Sequence, residues 1–325
     1  MTDSSSPTLP VEIWTVVHAL ACTDGGATAR ALSLVSRDWL SISAPFKFQS
    51  IALVGPKPIL RFVALLDSIP EGERNVQSLS IGSQNLRLYP SPSYTLDLAQ
   101  EHERGLRFTD KLFPELGITS FTGTLQISSE AIDKAVIRIL ELTSKTLRTL
   151  YTHLILLRRP MPLYHVHLPH LQTLVLHGPF ASPPPTLSPV FPKLRRLRLA
   201  PPLTSGHGGA ELLDTIAIAA PILSQLYLSH SACAPRVLER ALEGTNLRNL
   251  TRLFVEVGAA RRSSPSPPGD PVAEPAGLLR LAQGDGRIRI IKERPWWIDV
   301  EAALIEWEEV DELQWDHREQ VKRDG

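Results

Sequence analysis

One apolar spacing constrains this chain more than any other feature. It reads Leu168-Pro169-x-Leu171-x-x-Leu174-x-Leu176 and returns as Phe191-Pro192-x-Leu194-x-x-Leu197-x-Leu199. It returns again as Ala220-Pro221-x-Leu223-x-x-Leu226-x-Leu228. The shorter template Leu-x-x-Leu-x-Leu also fits Phe48, Ile51 and Leu53, then Val76, Leu79 and Ile81. It fits Leu250, Leu253 and Val255, and Leu147 and Leu150 with Thr152 as a weak third position; Thr122, Leu125 and Ile127 form a degenerate copy. Leu147, Leu171, Leu194, Leu223 and Leu250 open successive copies 24, 23, 29 and 27 residues apart. A fixed pattern at such a period predicts stacked units rather than one closed globule.

Each copy carries its own structural instructions. Alternation through Leu-x-Leu predicts a short strand with one buried face. Helical spacing follows several strands: Ile59 to Ile69, Glu130 to Thr143, Glu211 to Ala219 and Arg236 to Leu242. Proline before a strand stops the preceding helix, because it disfavours α geometry in the residue before it. The unit is therefore strand, turn, helix, turn. Over residues 48–258 this resembles the leucine-rich repeat family. The resemblance implies an α/β solenoid with parallel strands on the concave side and helices outside. The asparagine that family places after the strand is missing, and Gly82 to Gly117 holds an insertion that the template does not phase.

Residues 9–47 follow a different pattern, after a polar and expectedly disordered segment at 1–8. Leu9-Pro10-Val11-Glu12-Ile13-Trp14 opens a helix: proline suits the first helical position, and Glu12 lies where the macrodipole favours a carboxylate. Ile13, Val17 and Leu20 share a face that Trp14 and Ala21 extend. Cys22-Thr23-Asp24-Gly25-Gly26 predicts a turn. From about Thr28 a second helix is expected, with Leu32, Val35, Trp39 and Ile42 along one stripe and Leu34 outside it. So few residues bury little surface alone and must pack on a partner or on the array.

The run Leu-Pro-x-Glu-Ile-Trp, followed by Leu32-Ser33-Leu34-Val35-Ser36-Arg37-Asp38-Trp39, resembles an F-box. It is particularly similar to the F-box-like proteins of mushroom-forming fungi over Leu9 to Leu53, including the Ala21 to Gly26 turn. The resemblance implies docking on a Skp-type adaptor of a cullin–RING ubiquitin ligase. Leu9, Pro10, Ile13 and Trp14 would enter the adaptor groove, and Leu34, Val35 and Trp39 would supply a second contact patch. The loop from Cys22 to Ala27 departs from F-boxes that continue more helically there.

Residues that flank the buried leucines along each strand face the other side of the sheet. Tyr151, Val175, Arg198, Tyr227 and Phe254 form the expected central column, with His153, His177, Arg196 and Arg252 beside it. Aromatic and arginine side chains are enriched at protein interfaces. This column is the expected contact for a protein substrate. Residues 259–277 read as a Pro/Ser-rich flexible loop, in which Ser264 and Ser266 each precede proline. In 278–325, Arg287 to Ile290 alternates like an edge strand. Trp296 to Gln320 reads as a closing helix, with eight carboxylates and no Lys or Arg between Asp299 and Asp316.

Whole-chain numbers exclude some functions. The 34 basic and 34 acidic residues cancel, so no global field draws the 325-residue chain to nucleic acid or an anionic membrane. Two cysteines, Cys22 and Cys233, form no disulfide framework. No secretory leader or membrane-length apolar run is present, and the expected location is cytoplasm or nucleus. There is no serine elbow to accompany Gly206-His207-Gly208-Gly209, no phosphate-binding glycine loop, and no third ligand for His165 and His167. Asp24-Gly25-Gly26 lacks the repeated carboxylates of a calcium loop. The expectation is a non-catalytic substrate-recognition subunit with no cofactor and no metal. The alternative is a repeat scaffold or inhibitor acting outside ubiquitination.

Overall fold

The computed structural model describes residues 9–82, 93–97, 119–121, 124–153, 166–177, 189–200, 209–229, 249–257, 280 and 282–292. The chain divides into two compact units, Met1–Lys292 and Glu293–Gly325. The expectations for Arg236 to Leu242, for 259–277 and for the acidic helix at Trp296 to Gln320 lie outside the described residues, as do Cys233, His165 and Gly206 to His207.

Six helices are described: α1 (Val11–Ala21), α2 (Ala27–Ser33), α3 (Arg37–Ser43), α4 (Pro56–Ser68), α5 (Ser129–Thr143) and α6 (Gly209–Ala219). The strands are β1 (Ser50–Val54), β2 (Ser78–Gly82), β3 (Ser93–Asp97), β4 (Thr119–Phe121), β5 (Thr124–Ser128) and β6 (Thr149–His153). They continue with β7 (Thr173–His177), β8 (Arg196–Ala200), β9 (Gln225–Ser229), β10 (Arg252–Val257) and β11 (Ile288–Lys292). Eight of them form one sheet in the order β1-β2-β6-β7-β8-β9-β10-β11. Every neighbouring pair in it is parallel.

The template positions line up across this sheet. Ile51, Leu79, Leu150, Leu174, Leu197, Leu226, Leu253 and Ile288 stand side by side in register. Two residues on, Leu53, Ile81, Thr152, Leu176, Leu199, Leu228, Val255 and Ile290 form a second column. Thr152, the weak position, is buried in it, and its hydroxyl donates to the Val175 carbonyl at 3.5 Å. The opening positions Val76, Leu147, Leu171, Leu194, Leu223 and Leu250 join the same core. So do buried residues of α4 (Ile59, Phe62, Val63, Leu66), α5 (Ala135, Val136, Ile139) and α6 (Leu213, Ile216). These three helices therefore pack on the leucine side of the sheet.

A backbone device repeats with the leucines. The carbonyl of Gln49 accepts from the amides of both Gln77 and Ser78, at 2.8 and 2.9 Å. The carbonyls of Gln77, Arg148, Gln172, Arg195 and Ser224 each accept in the same way from the two residues that open the next strand. Each junction ties its neighbour before the strand ladder begins, so register passes from strand to strand through the backbone.

One repeat assignment is corrected. Leu125 and Ile127 do lie on a strand, but β5 belongs to a separate antiparallel sheet ordered β3-β5-β4. Leu125 stands opposite Leu96, and Ile127 opposite Tyr94. Alternation specifies a strand and a buried face; it does not name the neighbour. The 82–117 insertion thus carries part of its own small sheet. Arg287 to Ile290 forms the predicted edge strand, parallel to β10.

The N-terminal helices also differ from expectation in two places. Helix α1 begins at Val11, with Pro10 as an extended cap (φ −53°, ψ 149°). The expected second helix is two helices, α2 and α3. Ser36 breaks it by adopting extended geometry (φ −160°, ψ 172°), and its hydroxyl accepts the Trp39 amide at 3.2 Å. Asp38 follows in the first turn, where a carboxylate suits the helix N-terminus. Leu32, Val35, Trp39 and Ile42 therefore do not form one continuous stripe.

Candidate functional site

Helix α1 is apolar on nearly its whole circumference, and only one side is used. Trp14, His18 and Cys22 recur every four residues and face inward. Trp14 and Trp39 pack ring against ring at 4.8 Å, and His18 lies 4.9 Å from Trp39 and 6.4 Å from Phe46. These contacts bind α1 to α3 and to the short turn at Ala44–Phe46. Trp14 and Trp39, expected as adaptor contacts, are half-buried in this internal cluster.

His18 is fully buried, and neither ring nitrogen has a hydrogen-bond partner among the described residues. Burial holds its pKa below the ordinary histidine value, so the ring is kept neutral. Cys22 is buried as well; burial first, and the Asp24 charge second, push its thiol upward and away from nucleophilic use.

The opposite side of the same helices is open. Leu9 is 49%, Ile13 48%, Leu20 73%, Leu34 86% and Val35 64% exposed. Val11, Val16, Val17 and Leu40 are exposed too. Among the described residues the only other exposed large hydrophobics are Leu65, Ile218 and Ile222. A helix apolar on all sides is normally buried on all sides. Leu9, Pro10 and Ile13 sit at the start of α1, and Leu34 and Val35 fill the break between α2 and α3; α1 touches both of those helices. Val17 and Leu20 are expected on a shared face, and Val11, Val16 and Leu40 are exposed beyond the residues expected from the sequence. The signal was legible: α1 has more apolar residues than one packed face can use.

The Cys22 to Ala27 loop is the attachment of these helices to the sheet. Ser50 Oγ donates to the Thr23 carbonyl at 2.9 Å and accepts the Gly25 amide at 3.0 Å. Gln49 Nε2 donates to the Ala19 carbonyl at 2.8 Å. Gly25 and Gly26 adopt φ of 72° and 91°, and a Cβ on Gly26 would lie 3.2 Å from the Ser50 carbonyl oxygen. Asp24 accepts from the Thr28 amide and hydroxyl, which starts α2.

The second expected surface is the sheet face away from the leucines. Its register is as the spacing implies: Ala52, Ser80, Tyr151, Val175, Arg198, Tyr227, Phe254 and Arg289 form one row. Arg196, Gln225 and Arg252 form the row beside it. Tyr227 and Phe254 stack at 4.1 Å with planes 11° apart. The row is less open than expected. Tyr151, Val175 and Phe254 are buried, while Arg196, Arg198, Tyr227 and Arg252 are half-buried. Val175 stands between Tyr151 and Arg198, both much longer side chains, and Phe254 gives one ring face to Tyr227. His153 and His177 are in register with each other on β6 and β7.

Among the described residues no group of three or more His, Cys, Asp or Glu is placed to hold a metal ion, and no helix is long and apolar enough to cross a membrane. No protein-family model matches the chain, and no curated protein matches it significantly.

Proposed function

We propose that this chain is a substrate-recognition subunit of a Skp–cullin–F-box ubiquitin ligase, with α1 to α3 as the F-box and the parallel sheet as an irregular leucine-rich-repeat array. The observation that carries the reading is the concentration of exposed large apolar residues on α1 and the α2–α3 break. Monomeric proteins rarely leave contiguous apolar surface of that kind without a partner. Leu9, Pro10 and Ile13 supply one anchor set, and Leu34 and Val35 the other. Their residue types match those quoted for the F-box resemblance.

The division of labour follows from the fold. The helices are fastened to β1 through Ser50 and Gln49, so a partner held on α1 stands in a fixed relation to the sheet. A protein substrate held on the outer face would then be presented in a set orientation, and proximity supplies the rate advantage. The chain contributes no catalytic group of its own.

The test is direct binding of the purified full chain to a Skp-type adaptor by calorimetry. The double variant Leu9→Asp, Ile13→Asp is expected to lose binding while keeping its thermal midpoint, since both positions are half exposed. A wild-type chain that does not bind, or a double variant that binds equally well, overturns the proposal.

A further inference from the structure

The outer face of the sheet is not uniform along its length. On β1 and β2 its outward positions are uncharged: Ser50, Ala52 and Val54, with Ser78, Ser80 and Gly82 beside them. On β8 to β11 they include four arginines, Arg196, Arg198, Arg252 and Arg289, and two aromatic residues, Tyr227 and Phe254. Arg198, Tyr227, Phe254 and Arg289 run in that order across four neighbouring strands. Arg196 and Arg252 flank them, with Gln225 between. Glu256 is the one carboxylate at an outward position of β7 to β11. Arg287, next to this row, is already committed to Asp285 through contacts of 2.6 to 3.0 Å. A neutral chain has thus collected positive charge on one half of one face.

The spacing of that charge is informative. Neighbouring strands lie about 4.8 Å apart, so Arg198 on β8 and Arg289 on β11 stand roughly 14 Å apart. An extended peptide covers that distance in about four residues. Between the two arginines lies the stacked Tyr227–Phe254 pair, in which Phe254 is buried and Tyr227 is half-buried. We propose that this half of the outer face binds an acidic peptide segment of a partner protein. Carboxylates about four residues apart would meet Arg198 and Arg289, and a residue between them would lie against the half-buried Tyr227.

Charge complementarity selects this occupant over nucleic acid. Phe254 is buried and Tyr227 gives it one ring face, which leaves little open platform for an unpaired base to stack on. A phosphate backbone needs a basic track that continues, and Val175 and Tyr151 on β7 and β6 end it. Arg196, Arg198 and Arg252 each make a contact within the chain. The inference rests on the sign of their charge and on their register. It stands independently of any adaptor on α1.

Fluorescence anisotropy with the full chain decides it. The probes are a labelled peptide GEELLEEG, its counterpart GKKLLKKG and a short oligouridylate, each at low and at raised salt. The acidic peptide is expected to bind, to weaken as salt rises, and to exceed the basic peptide by at least about tenfold. Arg198→Gln with Arg289→Gln is expected to weaken it by about tenfold or more, with the thermal midpoint unchanged. Lys47→Gln, beyond α3, is expected to leave it unaltered. The Leu9→Asp, Ile13→Asp variant is expected to bind the acidic peptide as wild type does, so failure of the adaptor reading and failure of this one are separable. No acidic-peptide binding at the highest soluble concentration, equal binding of the two peptides, or tighter binding of oligouridylate overturns the inference.

Discussion

The N-terminal helices and the parallel sheet are both rich in apolar side chains, yet they treat them in opposite ways. In the sheet, Leu150, Leu174 and Leu197 each have an apolar residue in register on both sides, and all are buried. On α1, Ile13, Val16 and Leu20 have the same apolar character and no such neighbours, and all are exposed. The difference is repetition. A residue in a column is covered by the copies beside it, whereas a helix that occurs once is covered only where another element happens to lie. Exposure in α1 therefore marks a surface that the described elements leave uncovered.

Mutations should separate the two regions, with the largest effect in the sheet. Leu150→Ala removes a fully buried side chain from the middle of a column and should cost about 3 kcal/mol in urea unfolding. A loss comparable to that of a surface change would mean the column can collapse around the gap. Gly26→Ala comes next. Forcing a Cβ into φ 91° against the Ser50 carbonyl should cost about 1–2 kcal/mol. Hydrogen exchange should place that loosening in α1 to α3, with the sheet amides of β6 to β9 unchanged. Uniform loosening would mean the helices and the sheet unfold as one cooperative body.

Ser36→Ala removes the side-chain cap of α3 and should cost about 1 kcal/mol, seen as faster exchange at Trp39. His18 adds a pH dependence confined to the helices. Its folded pKa is depressed, so the unfolded state binds the proton more readily and stability falls as pH drops below the ordinary histidine value. The fall continues toward the lowered folded value and then levels off. His18→Phe should flatten that slope in the exchange of α1 and α3; an unchanged slope would assign it to another group. The smallest effect belongs to Leu20→Ala, expected within about 0.5 kcal/mol of wild type although leucine is being deleted. The same chemical change in the two regions should thus differ severalfold.

Much of the architecture was legible from spacing. The Leu-x-Leu pairs mark β1, β2 and β6 to β10, and Pro221 marks where α6 must stop. Helical periodicity located α4, α5 and α6 to within a few residues. Three features were not legible. Leu125 and Ile127 carried the right alternation but pair in a second sheet, because pairing partners are chosen across distances that a local pattern does not encode. The break at Ser36 was hidden by an apolar periodicity that ran through it, although Ser36 and Asp38 together carried the cap signal. The row from Tyr151 to Phe254 was placed correctly in register, but its burial depends on the size of the neighbours that each residue receives.

By itself, the order of residues determined that this chain would form short parallel strands with leucines on one side, because apolar spacing acts locally and repeats. It also determined that α1 would carry more apolar surface than a single packed face requires. Only the tertiary structure decided which of those apolar residues would be covered. It turned Trp14, His18 and Trp39 inward upon one another and left Ile13, Leu20 and Leu34 outside. The Gly25–Gly26 turn, read from sequence as a departure in a loop, became the joint to β1. Coverage and contact depend on what the chain brings back from far away, and no local pattern records that distance.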